Sequence, residues 1–230
     1  MPDQFHPPSS ESLKGKVVVL TGVCYSEYCI YNRHANLTLP QGAIGIGADL
    51  VRLLHNASAH VFFGDVLDEP ALALEKELDS ASSTVKFVHC DVTSYADNLA
   101  LYDAAFDAFG RVDHAISNAG LGEQGNIISP DLTLESVREE PKNSVRPVDV
   151  NLKGPLYFAR LASVYLRQSS SEDSVADVND KSLTFTSSVA AFREDPGLYV
   201  YVASKHGVMG LMRVLRRWVV EFCEASKSFG

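Results

Sequence analysis

The sequence predicts an α/β domain in which a doubly wound parallel sheet lies between two layers of helices. Short apolar segments rich in β-branched residues alternate with amphipathic helical segments, as they do when helices connect parallel strands. Turns rich in glycine, aspartate or asparagine follow several strand segments, and such sheets bind ligands at the carboxyl ends of their strands. A length of 230 residues suits one sizeable domain of this kind.

Five segments have the composition of buried strands because they are short, apolar and bounded by polar residues or glycine. The predicted strands are residues 16–21, 59–64, 85–90, 112–117 and 182–186. Apolar residues at helical spacing predict five helices, and Gly110 is expected to end the third. The predicted helices are residues 44–55, 69–78, 96–109, 148–167 and 199–221.

The polar segments predict the boundaries of the domain. Residues 1–12 are polar and proline-rich, which favours a flexible tail, and residues 168–181 favour an exposed loop. Residues 13–230 show neither an internal repeat nor a linker. They are therefore expected to form a single domain.

Charge and cysteine content narrow the kinds of partner. A net charge of −9 argues against a nucleic acid or an anionic membrane. The N-terminal residues hold no apolar signal core, and no run reaches the ~18 apolar residues of a membrane helix. The spacing of Cys24, Cys29, Cys90 and Cys223 fits neither a zinc site nor a disulfide framework. We therefore expect a cytoplasmic protein with reduced cysteines and no bound metal.

An insert interrupts the glycine-rich turn between the first strand and its helix. Glycines at such a turn let the backbone approach a pyrophosphate, and the helix N-terminus attracts its charge. Without residues 23–41, the sequence of this turn becomes TGGAIGIG. The candidate cofactor-binding residues of the turn are Thr21, Gly22, Gly45, Ile46 and Gly47.

Two explanations of residues 23–41 stay open. The insert begins with valine, whose codons begin GT, and ends with Gln41, which fits a CAG codon, so it has the boundaries of a translated short intron. The alternative is a surface loop extruded from the turn. Growth of the turn from about three to about twenty-two residues costs roughly 1.7 kcal/mol of loop-closure free energy, which folding can tolerate. The geometry of the phosphate-binding amides is more sensitive to the insert.

Residues at the next three strand ends are candidates for the rest of a dinucleotide site. Asp65 ends the second strand, where an acid can accept hydrogen bonds from both ribose hydroxyls and repels a 2′-phosphate. Residues 61–70 hold no Lys or Arg, so the sequence favours NAD, with NADP as the alternative. The other candidates are Asp91 and Val92 after the third strand and Asn118, Ala119 and Gly120 after the fourth.

A tyrosine and a lysine are placed for proton transfer. Tyr201 and Lys205 are four residues apart on a predicted helix and therefore share one face. Free tyrosine is a poor base at neutral pH because its pKa is about 10, but a nearby ammonium favours the phenolate. The pair suits alcohol oxidation or carbonyl reduction. Ser188 can hold the substrate oxygen, and Asn151 can anchor a water that relays protons to Lys205.

These motifs resemble the short-chain dehydrogenase/reductase family. The resemblance rests on TGGAIGIG, the NAG turn at residues 118–120, NLKG at 151–154 and YVASK at 201–205. It extends from about Leu13 to Trp218, apart from the insert, and favours the simple single-domain type. It implies a Rossmann-like fold, a NAD or NADP cofactor, and a secondary alcohol or ketone as substrate. Apolar residues near the catalytic pair favour a hydrophobic small molecule, while steroid, polyketide, prostanoid-like and sugar-derived substrates all stay open.

The resemblance also implies a role for each matched residue. Tyr201 exchanges the proton, Lys205 orients the ribose and favours the phenolate, and Ser188 polarises the substrate oxygen. Ser188, and not its neighbour Ser187, has the spacing of the family relative to Tyr201. Asp91 and Val92 are expected to meet the adenine ring.

The sequence departs from the family at its C-terminal end as well as at the insert. The last two strands of the sheet and the substrate lid have no counterpart, so five strands are predicted. The family is typically homo-oligomeric, and the absent elements contribute to its subunit interface. The alternative to a working enzyme is therefore a catalytically impaired relative that binds a nucleotide or is the product of an unspliced or truncated gene.

Overall fold

The computed structural model describes residues 10–24, 45–78, 84–125, 127–141, 143–168 and 180–226, without the side chains of residues 10, 11 and 217–226. Most of the predicted tail, most of the insert, Gly42 and most of the predicted loop at 168–181 lie outside these ranges. The last three residues of the predicted tail belong to a 3-10 helical turn, Ser10–Leu13.

Within the described ranges, five parallel strands form one sheet in the order β3-β2-β1-β4-β5. The strands are β1 (Val17–Thr21), β2 (His60–Asp65), β3 (Val85–His89), β4 (His114–Ser117) and β5 (Ser182–Phe185). Each overlaps a predicted strand to within two residues at either end. The predicted doubly wound α/β fold is confirmed.

Six α-helices lie among the residues that the structure describes. They are α1 (Ile46–Asn56), α2 (Asp68–Leu78), α3 (Tyr95–Phe109), α4 (Arg146–Val148), α5 (Gly154–Tyr165) and α6 (Tyr199–Ser226). Gly110 ends α3 in the left-handed conformation, with φ of 66°, as its position in the sequence predicts. No helix in the described part of the chain combines the length and the apolar character needed to cross a membrane.

The hydrophobic core has one cluster of buried side chains on each face of the sheet. The sheet therefore lies between two layers of helices, as the sequence predicts. Alternate residues of β1 point to opposite faces. Val17 and Val19 pack with residues of α3 and α5, whereas Val18 and Leu20 pack with residues of α1 and α2. All four side chains are fully buried, as expected of the central strand of a parallel sheet.

The predicted helix at residues 148–167 is wrong in one respect, since a π-helical turn, Asp149–Lys153, separates α4 from α5. Pro155 has no N–H and disfavours a regular α-helical turn before it. The N–H of Gly154 instead bonds the carbonyl of Asp149, five residues back. A Cβ on Gly154 would lie 2.9 Å from the Val92 side chain, so this helix start also packs closely against the turn after β3.

The strand register brings the ends of all five strands to one edge. Thr21 of β1 lies opposite Gly64 of β2 and Ser117 of β4, and Ser117 lies opposite Phe185 of β5. The residues that follow each strand therefore meet there. This is the edge at which doubly wound sheets bind their ligands.

Candidate cofactor and active site

A cavity of about 530 Å³ lies at the carboxyl edge of the sheet. Predicted site residues that line it are Gly22, Gly45, Ile46, Gly47, Asp65, Asp91, Val92, Asn118, Ala119, Gly120, Tyr201 and Lys205. Three others do not line it. Thr21 and Asn151 are buried behind its wall, at 0% and 1% exposure, and Ser188 is half-buried beside it.

Two glycines that line the cavity, Gly22 and Gly47, allow three backbone segments to make close contact. A Cβ on Gly47 would lie 2.1 Å from the carbonyl oxygen of Gly22, and a Cβ on Gly22 would lie 2.2 Å from Cα of Ala119. Gly22 also has φ of +76°, which favours glycine. The first turn of α1, the end of β1 and the NAG turn therefore pack backbone against backbone, and Gly22, Gly45 and Gly47 line the cavity beside this contact.

The carboxylate of Asp65 is already bonded to the backbone around it. Its Oδ2 accepts hydrogen bonds from the N–H groups of Val23 (2.7 Å) and Cys24 (2.8 Å), and its Oδ1 accepts one from Leu67 (3.0 Å). Burial raises the pKa of Asp65, although these N–H groups act in the opposite direction. Val23 and Cys24 are the first residues of the insert. The predicted insert thus begins with two residues whose N–H groups bond the carboxylate that the sequence assigns to a ribose.

Asn118 joins the ends of three strands. Its Nδ2 donates to the carbonyl of Gly22 after β1, and its Oδ1 accepts the hydroxyl of Thr186 after β5 (2.9 Å). Two residues further on, a Cβ on Gly120 would lie 3.3 Å from Nζ of Lys205. A small residue at this turn therefore leaves room for the lysine ammonium at the cavity wall.

Tyr201 and Lys205 lie together on the cavity-facing side of α6. Nζ of Lys205 is 5.7 Å from the centroid of the Tyr201 ring and donates to the carbonyl of Thr186 (3.0 Å). Lys205 is only 4% exposed. Tyr199 is 44% exposed and does not line the cavity. The lysine ammonium thus lies beside the Tyr201 ring, as the i, i+4 spacing predicts.

Asn151 lies in the π-helical turn and links two walls of the site. Its Oδ1 accepts the N–H of Leu121 (2.7 Å), while its Nδ2 donates to the carbonyl of Leu121 (2.8 Å) and to Oγ of Ser204 (3.0 Å). Both Nδ2 hydrogens are therefore used by protein groups. Asn151 therefore holds the turn after β4 against α6. The backbone carbonyl of Asn151 cannot accept the usual α-helical hydrogen bond, because Pro155, four residues later, has no N–H.

The two serines after β5 point in different directions. Ser187 lines the cavity, and its hydroxyl donates to the carbonyl of Lys205 (3.3 Å). The hydroxyl of Ser188 accepts the N–H of Ala190 (3.1 Å) and caps the 3-10 turn Val189–Ala191. The structure thus brings Ser187, and not Ser188, to the wall of the cavity.

Two charged residues that line the cavity are not among the site residues predicted from the sequence. Glu123 is 7% exposed and accepts hydrogen bonds from the N–H groups of Val200 (3.2 Å) and Tyr201 (2.7 Å). Arg146 is exposed at the start of α4 and also lines the cavity. The only sequence signal for Glu123 is an acid among small and apolar residues three positions after the NAG turn.

Two thiols line the same cavity near Asp65. Burial raises the pKa of Cys24 to about 12 and that of Cys90 to about 12, and nearby aspartates act in the same direction. Thiols with such pKa values stay protonated at neutral pH and are poor nucleophiles. We therefore assign them a packing role.

The fold and the cavity define a class of α/β protein that holds a dinucleotide at the carboxyl edge of a parallel sheet. The family model described as short chain dehydrogenase matches residues 41–221. The chain belongs to the short-chain dehydrogenase family. The match begins at the last residue of the insert, so residues 23–40 lie outside it.

Relatives and solved structures give the same family. The chain is 32% identical over 210 residues to Short chain aldehyde dehydrogenase 1 of Euphorbia lathyris, covering 90% of this chain and 60% of the relative. It is 32% identical over 206 residues to the short-chain dehydrogenase/reductase ascJ of Acremonium egyptiacum, covering 90% and 58%. A short-chain dehydrogenase/reductase from Burkholderia phymatum in complex with NAD superposes with a TM-score of 0.66 at 26% identity, covering 88% and 59%. The chain spans about 60% of the length of these relatives.

Proposed function

We propose that this protein is an oxidoreductase that transfers a hydride between NAD and a secondary alcohol or ketone. The observation that carries the proposal is the position of Tyr201 and Lys205 in the same cavity as the glycine turn. A phenol beside a buried ammonium is a general acid/base suited to an alcohol hydroxyl or a carbonyl oxygen. Membership of the short-chain dehydrogenase family supports the same reaction.

The cavity has the features that a nicotinamide dinucleotide needs. Its volume of about 530 Å³ lies within the range of ligand sites in proteins. Gly22, Gly45 and Gly47 line the cavity beside the N-terminus of α1, which suits a pyrophosphate, and Val92 gives an apolar wall for a base. Bound there, the nicotinamide ring supplies or accepts the hydride.

The side chains of this chain supply the proton and the orientation. In carbonyl reduction, the Tyr201 hydroxyl donates a proton to the substrate oxygen; in alcohol oxidation, its phenolate takes that proton back. The ammonium of Lys205, whose Nζ lies 5.7 Å from the centroid of the Tyr201 ring, can donate to a ribose hydroxyl. We assign the hydroxyl that polarises the substrate oxygen to Ser188 by its spacing from Tyr201, with Ser187 as the alternative because it lines the cavity.

The preference for NAD over NADP is proposed from the charge around Asp65. Its carboxylate repels a 2′-phosphate, and residues 61–70 hold no Lys or Arg to bind one. The N–H groups of Val23 and Cys24 occupy Oδ2, so a ribose must displace them or share this oxygen. We therefore expect NADH to bind more tightly than NADPH, and more weakly than in a chain without the insert.

The test compares one tyrosine with its neighbour. Calorimetric titration of the 230-residue chain with NADH and then NADPH measures cofactor binding, and NAD-dependent oxidation of cyclohexanol and 2-butanol measures turnover. Tyr201→Phe is expected to abolish turnover while the Kd for NADH stays unchanged, because only the proton donor is removed. Tyr199→Phe, on the exposed side of the same helix, is the control and keeps full activity. Substantial turnover by Tyr201→Phe excludes the proposed role.

The second candidate is a catalytically impaired relative, and the bonds from Val23 and Cys24 to Asp65 favour it. Deletion of residues 23–41 restores the sequence TGGAIGIG. If the insert impairs the site, the deletion tightens NADH binding by about tenfold or more and raises the free energy of unfolding by roughly 1.7 kcal/mol. Equal NADH affinity with and without the insert argues instead for a loop that leaves the site intact.

A further inference from the structure

Glu123 is a buried carboxylate that the proposed chemistry does not use. It follows the NAG turn after β4, lines the cavity and is 7% exposed. Its two oxygens accept hydrogen bonds from consecutive backbone N–H groups, those of Val200 and Tyr201. These donors are 77 and 78 residues away in sequence, so the bonds join two separate walls of the site.

The N–H groups that Glu123 binds would otherwise lack a helical partner. The first four N–H groups of an α-helix have no carbonyl in the preceding turn, and α6 begins at Tyr199. The N–H of Val202 reaches the carbonyl of Leu198 (2.8 Å), whereas those of Val200 and Tyr201 reach Glu123. A carboxylate is favoured at this position because the N-terminus of a helix carries partial positive charge.

We infer that Glu123 is the positioning residue for Tyr201. Its bond to the Tyr201 N–H, at 2.7 Å, fixes the backbone of the residue whose phenol exchanges the proton. The same carboxylate ties that backbone to the segment after the NAG turn, and both segments line the cavity. This inference rests on the proposed function, because it gives Glu123 a role in that reaction.

Lys205, the partner of Tyr201 in proton transfer, is held in place by groups other than Glu123. Nζ of Lys205 donates to the carbonyl of Thr186 after β5, and this contact does not involve Glu123. The backbone of Tyr201 keeps a second contact, because its carbonyl accepts the hydroxyl of Ser204 (2.6 Å). Loss of Glu123 therefore releases the N–H of Tyr201, shifts the phenol by a small distance and leaves the lysine in place. Substitution of Glu123 should therefore lower turnover without weakening cofactor binding.

The experiment measures kcat and cofactor affinity in two variants of the full chain. Glu123→Gln keeps the shape and one oxygen acceptor but loses the charge and one acceptor. Glu123→Leu loses both hydrogen bonds. We expect kcat for cyclohexanol oxidation to fall about tenfold in Glu123→Gln and about 100-fold in Glu123→Leu, since small displacements of a reacting group have effects of this size. The Kd for NADH is expected to stay within about twofold, because the bond that holds Nζ of Lys205 to Thr186 does not involve Glu123.

The matched control is Glu135→Gln, which removes the same charge from an exposed residue outside the cavity and leaves both constants unchanged. A graded fall in kcat with retained NADH binding supports the inference. Unchanged kcat overturns it, and so does a parallel loss of NADH binding, which indicates a general role in folding. If the unaltered chain binds NADH but oxidises neither cyclohexanol nor 2-butanol, the proposed reaction fails and the positioning role fails with it.

Discussion

The absence of a side chain at position 47 shapes the turn after β1. A methyl group there would lie 2.1 Å from the carbonyl oxygen of Gly22 and 2.8 Å from Cα of Val23, so the backbone must move to admit it. We expect Gly47→Ala to lower the free energy of unfolding by about 1–3 kcal/mol and to weaken NADH binding by tenfold or more. Chemical denaturation and calorimetric titration measure the two effects.

Another helical glycine provides the control for that substitution. A Cβ on Gly210, in α6, would meet no atom within 4 Å. Gly210→Ala is expected to stabilise the protein by about 0.5–1 kcal/mol, since alanine is the better helix former, and to leave NADH binding unchanged. NADH affinity that survives Gly47→Ala would mean that the close approach of α1 to β1 is not part of the cofactor site.

Single residues differ in how far the sequence predicts their positions. Tyr201 and Lys205 share a helix, so their spacing alone places them together. Ser187 and Ser188 are adjacent at a strand end, and a backbone rotation that the sequence does not reveal decides which hydroxyl reaches the cavity. Glu123 acts on residues 77 and 78 positions away, and nothing local in the sequence marks such a contact.

At the scale of elements, one buried carboxylate joins the starts of three strands. Asp113, immediately before β4, accepts hydrogen bonds from the N–H of Val17 in β1 (2.7 Å) and from Nζ of Lys181 before β5 (2.6 Å). Burial raises the pKa of Asp113, but Lys181, the Val17 N–H and Arg111 together hold it below the ordinary value. The ionised form is therefore the one that the fold stabilises.

This arrangement predicts a dependence of stability on pH. A carboxyl group whose pKa is lower in the folded state stabilises fully above its unfolded pKa, about 3.9, and loses that contribution as the pH falls through the folded value. We expect Asp113→Asn to lower the free energy of unfolding by about 3 kcal/mol at pH 7, because the lysine loses a buried partner. Urea denaturation at pH 7, 5 and 3 should show this difference shrink only below about pH 4.

An exposed aspartate gives the reference for the pH series. Asp107 lies on the solvent side of α3, and Asp107→Asn is expected to change stability by less than about 0.5 kcal/mol at each pH. A difference between Asp113→Asn and the unaltered chain that stays constant down to pH 3 would contradict the assignment of the effect to this carboxylate.

Elements were predicted well where their pattern is local. The strands follow from short apolar runs, and α1, α2 and α3 follow from apolar residues at helical spacing. The error at residues 148–167 has a different origin, because the apolar face continues through the segment while Pro155 changes the hydrogen bonding before it. Periodicity reports which face is buried and is insensitive to a change from α- to π-helical bonding over a single turn.

At the scale of the whole molecule, the outer edge of β5 and the outer face of α5 are candidate surfaces for association. β5 pairs with β4 alone among the described strands, so its outer edge presents unpaired backbone groups. On the helical layer, α5 exposes Leu156 and Val164, which lie two turns apart on one face at 47% and 46% exposure. Apolar side chains grouped in this way are typical of protein interfaces.

We expect the α5 face to form the interface of a homodimer, because its apolar side chains gain more from burial than the short edge of β5 does. The double variant Leu156→Glu with Val164→Glu should then shift the mass measured by light scattering after size-exclusion chromatography from twice 25.0 kDa to 25.0 kDa. NADH binding should remain, because neither residue lines the cavity. Leu72→Glu is the control, since Leu72 is 51% exposed on α2, on the opposite side of the sheet. A dimer that survives the double variant would direct attention to the edge of β5, and a monomeric unaltered chain would exclude both surfaces.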